Sequence, residues 1–119
     1  MGAAFRGLFR RLSESDEQRL ADEVQRWAET VPGTVRIRDA TARGPVKLAG
    51  VVRRITIRPV EGFEALEAVL WDGTGEISAL WMGRRSIPGL TLGAQIVIEG
   101  ILGREHQRPR VVNPTFEFG

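Results

Sequence analysis

The run V-K-L-A-G-V-V-R-R-I-T-I-R, Val46 to Arg58, constrains the fold of this 119-residue chain more than any other stretch. It is rich in β-branched residues, which suit a pleated and partly buried backbone. Its alternation breaks in the middle, however. Val46, Leu48 and Val52 share one side of a strand, whereas Ile55 and Ile57 fall on the other. A strand apolar at both ends changes its inward parity only by bending or bulging, and Gly50 or Arg53-Arg54 marks the place. The long first strand of a small barrel must bend in this way.

The rest of the C-terminal two-thirds repeats the same texture. Leu66–Trp71 and Glu76–Met82 form a hairpin around D-G-T-G, Ala94–Arg104 reads as a fourth strand, and R-V-V-N-P-T-F-E-F as a fifth, with Pro114 keeping it at an edge or bulge. Val35-Arg36-Ile37-Arg38 is a short strand or lead-in. Between the third and fourth strands, G-R-R-S-I-P-G-L-T-L-G holds too much Gly and Pro for more than a helical turn. Five strands in about 75 residues, joined by short connections, favour an all-β, closed or nearly closed barrel.

The N-terminal third is helical instead. From Ser13 to Glu29, Leu20, Val24, Trp27 and Val31 recur at helical spacing, with Ser15 as the expected cap, Gln18 three residues on, and Pro32-Gly33 as the stop. The stripe is narrow and the other faces are charged, so this helix must dock, with Trp27 as a packing anchor. Ahead of it, Phe5, Leu8, Phe9 and Leu12 alternate with Arg6, Arg10 and Arg11. This short basic amphipathic segment suits a membrane surface or a partner groove, but a dozen residues form a marginal isolated helix, and a frayed terminus is the plainer reading. The chain thus divides into residues 1–33, an amphipathic segment and helix, and residues 34–119, the barrel.

Two of the three tryptophans flank D-G-T-G, and strand register decides their roles. If Leu70 faces Ile77, then Leu66, Ala68, Leu70, Ile77, Ala79 and Trp81 share a uniformly apolar face. Glu67, Val69, Trp71, Glu76, Ser78, Leu80 and Met82 share the other, which is mixed. This register buries no glutamate. Trp81 then belongs to the core, and Trp71 is the candidate stacking platform or a cover for the barrel end or the helix. In the turn, Asp72 should bind local backbone N–H groups, with Gly73 or Gly75 at positive φ.

Charge alternates by segment. Residues 13–30 carry −4, residues 31–60 carry +6 and residues 61–76 carry −5, within a net charge of +2. Sixteen of the seventeen cations are arginine, the side chain that makes flat, bidentate or stacked contacts with phosphates and bases. Folding can gather the basic segments on one face despite the small total.

Catalytic constellations are nearly absent. The chain has one histidine, no cysteine and no tyrosine, and neither G-x-x-x-x-G-K-[ST] nor G-x-G-x-x-G occurs. His106, in the polar connection E-H-Q-R-P-R, has no second imidazole for a metal and reads as a solvated loop residue. No cofactor, metal or enzymatic activity is expected. No apolar run approaches the roughly 20 residues of a membrane span. The lack of cysteine fits a reducing cytoplasm.

V-K-L-A-G-V-V, D-G-T-G-E-I-S-A-L-W-M-G, L-G-A-Q-I-V-I-E-G and N-P-T-F-E, in that order, resemble the OB-fold nucleic-acid-binding domains of the tRNA-anticodon type. They are most similar to the wedge domain of RecG-type branch-migration helicases. The resemblance covers roughly Val35 to Phe118. It implies a five-stranded Greek-key barrel that binds single-stranded or branched nucleic acid across strands two and three. By position, Trp71 and Met82 would lie on that surface beside Arg53, Arg54 and Arg58. Arg84 and Arg85 would follow strand three, and Arg104, Arg108 and Arg110 would occupy the last loop. Together they would form one cationic groove with an indole at its floor. Glu64, Glu67 and Glu76 set negative charge on or near the same face, and the usual helix after strand three is shortened. The sequence therefore reads as a non-enzymatic module for single-stranded DNA or RNA. The rival is a protein-interaction module that uses the barrel as a scaffold, with the N-terminal helix, the Phe5–Leu12 segment or an exposed strand edge recruiting a partner.

Overall fold

The computed structural model describes residues 13–119, so the basic amphipathic segment expected at Phe5–Leu12 lies outside the described residues. Helix α1 (Glu14–Ala28) leads into a single 3₁₀ turn (Ile37–Asp39) and then six strands: β1 (Gly44–Val60), β2 (Phe63–Trp71), β3 (Glu76–Met82), β4 (Gln95–Glu105), β5 (Arg108–Val112) and β6 (Thr115–Phe118). The sheet order is β1-β2-β3-β5-β4-β6, and β1 also pairs with β4, which closes the first five strands into a barrel. All pairings are antiparallel except β3 with β5.

The parity switch in β1 is a bulge. Val52 pairs with Leu70 and Arg54 with Val69, leaving Arg53 as the extra residue. Before the bulge the even positions Leu48 and Val52 point into the barrel. After it Ile55 and Ile57 lie opposite the core residues Ala68 and Leu66, and Ile57 packs on the core while Ile55 stays open. The bulged strand can thus pair with β4 through its first half and with β2 through its second. Gly50 lies where these ladders meet. A Cβ there would stand 2.9 Å from the Trp71 carbonyl oxygen.

The hairpin register is the expected one, Leu70 opposite Ile77, and the six apolar residues of its inner face are all buried. Trp81 is core: its Nε1–H donates to the Pro114 carbonyl at 3.1 Å and its ring meets Phe116 edge-on. On the outer face Val69 and Leu80 are buried as well, so that face is less polar than its composition suggests. No helix follows β3; Ile87, Leu90 and Ala94 in the irregular connection are buried in the barrel core instead. The stretch expected as a fifth strand is two, β5 and β6, because Asn113 takes φ 52° and Pro114 cannot continue the ladder. β6 turns back to pair with the first half of β4.

The helix begins two residues earlier than the Ser15 cap implies. Ser13 is the cap, and its hydroxyl accepts the Asp16 backbone N–H at 3.2 Å. Leu20 and Val24 form a small separate cluster with Val51 and Trp71, which fixes α1 to the barrel end. No described helix is long and apolar enough to cross a membrane.

Candidate nucleic-acid interface

The register determines what the outer face carries. Arg54, Thr56 and Arg58 of β1 lie opposite Val69, Glu67 and Ala65 of β2. Those in turn face Ser78, Leu80 and Met82 of β3, and Ser78 and Leu80 face Arg110 and Val112 of β5. Trp71 pairs with Glu76 at one end of the hairpin. Arg54, Arg58, Trp71, Met82 and Arg110 therefore share one outward surface, with bulged Arg53 at its rim.

At the middle of this surface Arg58 sits between two carboxylates. Its Nη2 donates to Glu105 Oε1 at 2.6 Å, and its Nε lies 3.3 Å from Glu67 Oε1, an ion contact without hydrogen-bond alignment. The second oxygen of Glu105 lies 3.4 Å from Arg110 Nη1. Ser78, His106, Arg108 and Pro109 complete an open cleft of about 480 Å³. The Arg58 hydrogen bond holds the Glu105 carboxyl below the usual carboxylate range, against a smaller opposing effect of burial. The same bond raises Arg58 above an ordinary guanidinium.

Trp71 is organised differently. Its ring is half-buried, packs toward Leu20, Val24 and Val51, and carries the Arg53 guanidinium 4.7 Å from its centroid. Arg53 Nη1 donates to Glu76 Oε2 at 3.1 Å, and Arg54 Nη2 stands 3.8 Å from the other oxygen. The indole thus anchors the helix and stacks an arginine, beside a cleft lined by Glu14, Glu17 and Gln18 of α1 together with Arg53 and Arg54. D-G-T-G holds this corner together. Buried Asp72 accepts the Thr74 N–H and hydroxyl with Oδ1, at 2.8 and 2.6 Å, and the Ile37 N–H with Oδ2 at 2.9 Å. Gly73, at φ 89°, passes so near the Ala21 carbonyl that no side chain fits.

The remaining residues scatter. Arg85 Nη1 donates to both Glu64 oxygens at 2.6 and 2.7 Å, near the far end of the hairpin, and Arg84 beside it is exposed. Met82 is half-buried, and its N–H donates to Asn113 Oδ1. Arg104 departs from the rest. Two residues from core Leu102, it shares that parity and donates to the Gln107 and Thr41 carbonyls, off the outer face. Among the described residues, Arg84 and Arg108 make no ion pair.

The single cationic groove with an indole floor is therefore not what the residues form. Arg53, Arg54, Arg58, Arg85 and Arg110 each sit on a glutamate, and the surface alternates in sign. The carboxylates come from three strands: Glu64 and Glu67 from β2, Glu76 from the start of β3 and Glu105 from the end of β4, which holds both Arg58 and Arg110. Glu105, which organises the central cleft, was missed. Its signal was its place immediately ahead of the hairpin bend at His106-Gln107, opposite Arg108.

No family model matches the chain, and no curated protein matches it by sequence. Solved structures do. The chain is similar to a chain of a replication protein A heterotrimer bound to ssDNA (TM-score 0.51, 18% identity, 64% of this chain and 57% of that one). It is also similar to an OB domain from Thermoplasma acidophilum (TM-score 0.57, 16% identity, 72% and 86%) and to the S. pombe Stn1–Ten1 complex (TM-score 0.52, 12% identity, 66% and 59%). The matches thus span less than two thirds of the first and third of these chains. With the strand order β1-β2-β3-β5-β4 closed on β1, they establish the architecture: the described chain is an OB-fold barrel with an N-terminal helix.

Proposed function

We propose that the protein is a non-enzymatic OB module that binds single-stranded or branched nucleic acid, DNA or RNA, with little sequence preference. The observation that carries this reading is the clustering of Arg53, Arg54, Arg58, Arg108 and Arg110 with Trp71 on or beside the outward face of β1, β2, β3 and β5. The likeness to a replication protein chain from a complex with ssDNA supports it, as does the sequence resemblance to anticodon-type and RecG wedge domains. Arginines would neutralise phosphates, and the indole would stack a base once Arg53 swings aside. Contacts of this kind read charge and π-faces rather than base edges, so sequence preference is low.

The test is anisotropy of a labelled single-stranded oligonucleotide titrated with the protein at several salt concentrations. Affinity should fall linearly on a log–log plot, with a slope of about −0.7 per neutralised phosphate. Trp71→Ala should weaken binding several-fold, consistent with the roughly 1–3 kcal/mol that stacking one base contributes. A salt-independent affinity, or no binding at low salt, sinks the reading.

The pairing of five arginines with glutamates favours a second reading, a protein-interaction module in which the face is a neutral mosaic. Exposed Phe63, Ile101 and Val112 would add apolar contacts. Full retention of a protein partner by a Trp71→Ala, Arg108→Ala variant would support it.

A further inference from the structure

We propose that Glu67 and Glu105 are built-in occupants of a phosphate site centred on Arg58, and that an incoming phosphodiester binds there by displacing them. The inference rests on the nucleic-acid reading and adds which residues set the affinity and how.

Two carboxylates converge on one guanidinium from different strands, Glu67 from β2 and Glu105 from β4. Glu105 goes further. One of its oxygens takes Arg58 Nη2 at 2.6 Å and the other lies 3.4 Å from Arg110 Nη1, so a single carboxylate bridges two guanidinium groups. The two non-bridging oxygens of a phosphodiester present the same pair of acceptors to the same donors. Arg108, free of ion pairs among the described residues, lines the cleft with Ser78 and His106, which supply further donors. The cleft is open to solvent, and its volume falls in the lower range of small-molecule sites.

Neither carboxylate is fully committed to its place: Glu67 makes no aligned bond to Arg58, and Glu105 makes one short bond and one long contact. The Glu105 side chain is about a third exposed. A partly exposed pair of this kind exchanges partners at small cost. The same device recurs where Glu76 spans Arg53 and Arg54. A face neutralised in this way gives isolated anions little purchase. A strand of adjacent phosphates displaces several carboxylates at once and gains from each, so the glutamates select for contiguous charge and keep affinity modest.

The experiment is anisotropy at fixed salt with a labelled oligothymidine of about 12 nucleotides, within the site sizes of OB folds. Glu105→Gln and Glu67→Gln should each tighten binding roughly two- to fivefold, the factor implied by a partly exposed pair no longer competing. The double variant should gain more. Glu117→Gln, which changes net charge equally on a strand away from the face, should leave affinity near wild type. Adding Arg58→Gln to Glu105→Gln should cancel the gain. If Glu105→Gln does not fold, as read by its tryptophan emission and far-UV spectrum, Glu67→Gln and Glu105→Asp carry the test. Wild-type binding that either folded glutamate variant leaves unchanged or weakens overturns this inference and leaves the nucleic-acid reading standing. A gain matched by Glu117→Gln overturns it as well, since bulk charge then suffices. No binding by wild type or any variant overturns both.

Discussion

Asp72 shows how one side chain can determine the corner of a barrel. Both of its oxygens are used: one closes the D-G-T-G turn, and the other takes the N–H of Ile37, a buried residue 35 positions away. The long-range bond matters most, because it ties the chain entering the barrel to the β2–β3 turn. Asp72→Ala would leave the Ile37 N–H buried and unpaired, and would free the turn. We expect a loss of about 2–4 kcal/mol, since a stranded buried donor alone costs roughly 1–3. Asp72→Asn keeps one acceptor oxygen and should lose less. Urea unfolding of both variants checks the order; equal stability of Asp72→Ala and wild type would show that water replaces both contacts.

Among the elements, α1 and β1 show what a local pattern reveals and where it stops. The helix was legible from the spacing of Leu20, Val24 and Trp27, yet two serines compete for its cap. Ser13 and Ser15 are both good caps by type, and only the chain's path selects Ser13, whose hydroxyl meets Asp16 N–H and Asp16 Oδ2. Ser13→Ala should therefore destabilise by about 1 kcal/mol, and Ser15→Ala by much less. Thermal unfolding of the two single variants distinguishes them; a larger effect at Ser15 would move the helix start. The β1 bulge was legible from parity because both halves of the strand are apolar, so a break in alternation had to be structural. The split of the last strand was less so: Asn113-Pro114 is a turn dipeptide and Asn tolerates the left-handed conformation, but Pro114 is compatible with either an edge or a break.

For the whole molecule, sequence revealed the barrel and Glu64, Glu67 and Glu76 near its outer face, but not which arginines they hold. Hydrophobic alternation is a local property, and closure follows once five alternating segments are joined by short connections. Ion pairing is non-local: Arg58 meets Glu105 across 47 residues, and nothing in either neighbourhood announces the other. The same distinction separates the two apolar clusters. The barrel core is continuous, whereas Leu20, Val24, Val51 and Trp71 form a satellite that joins α1 to β1 and the end of β2. We propose a boundary near residue 33 on this ground. The fragment 34–119 keeps every strand, the Asp72–Ile37 bond and the whole barrel core, and loses the helix side of the satellite, buried Ala28 and the Glu29–Arg36 ion pair. Burying a Leu and a Val contributes about 1.5–3 kcal/mol each, so the fragment should be less stable by a few kcal/mol. It should still unfold in one sharp transition, with acrylamide reaching Trp71 more readily than in the full chain and Trp81 as poorly as before. A fragment without a cooperative transition would mean that the helix completes the barrel rather than covering one end of it.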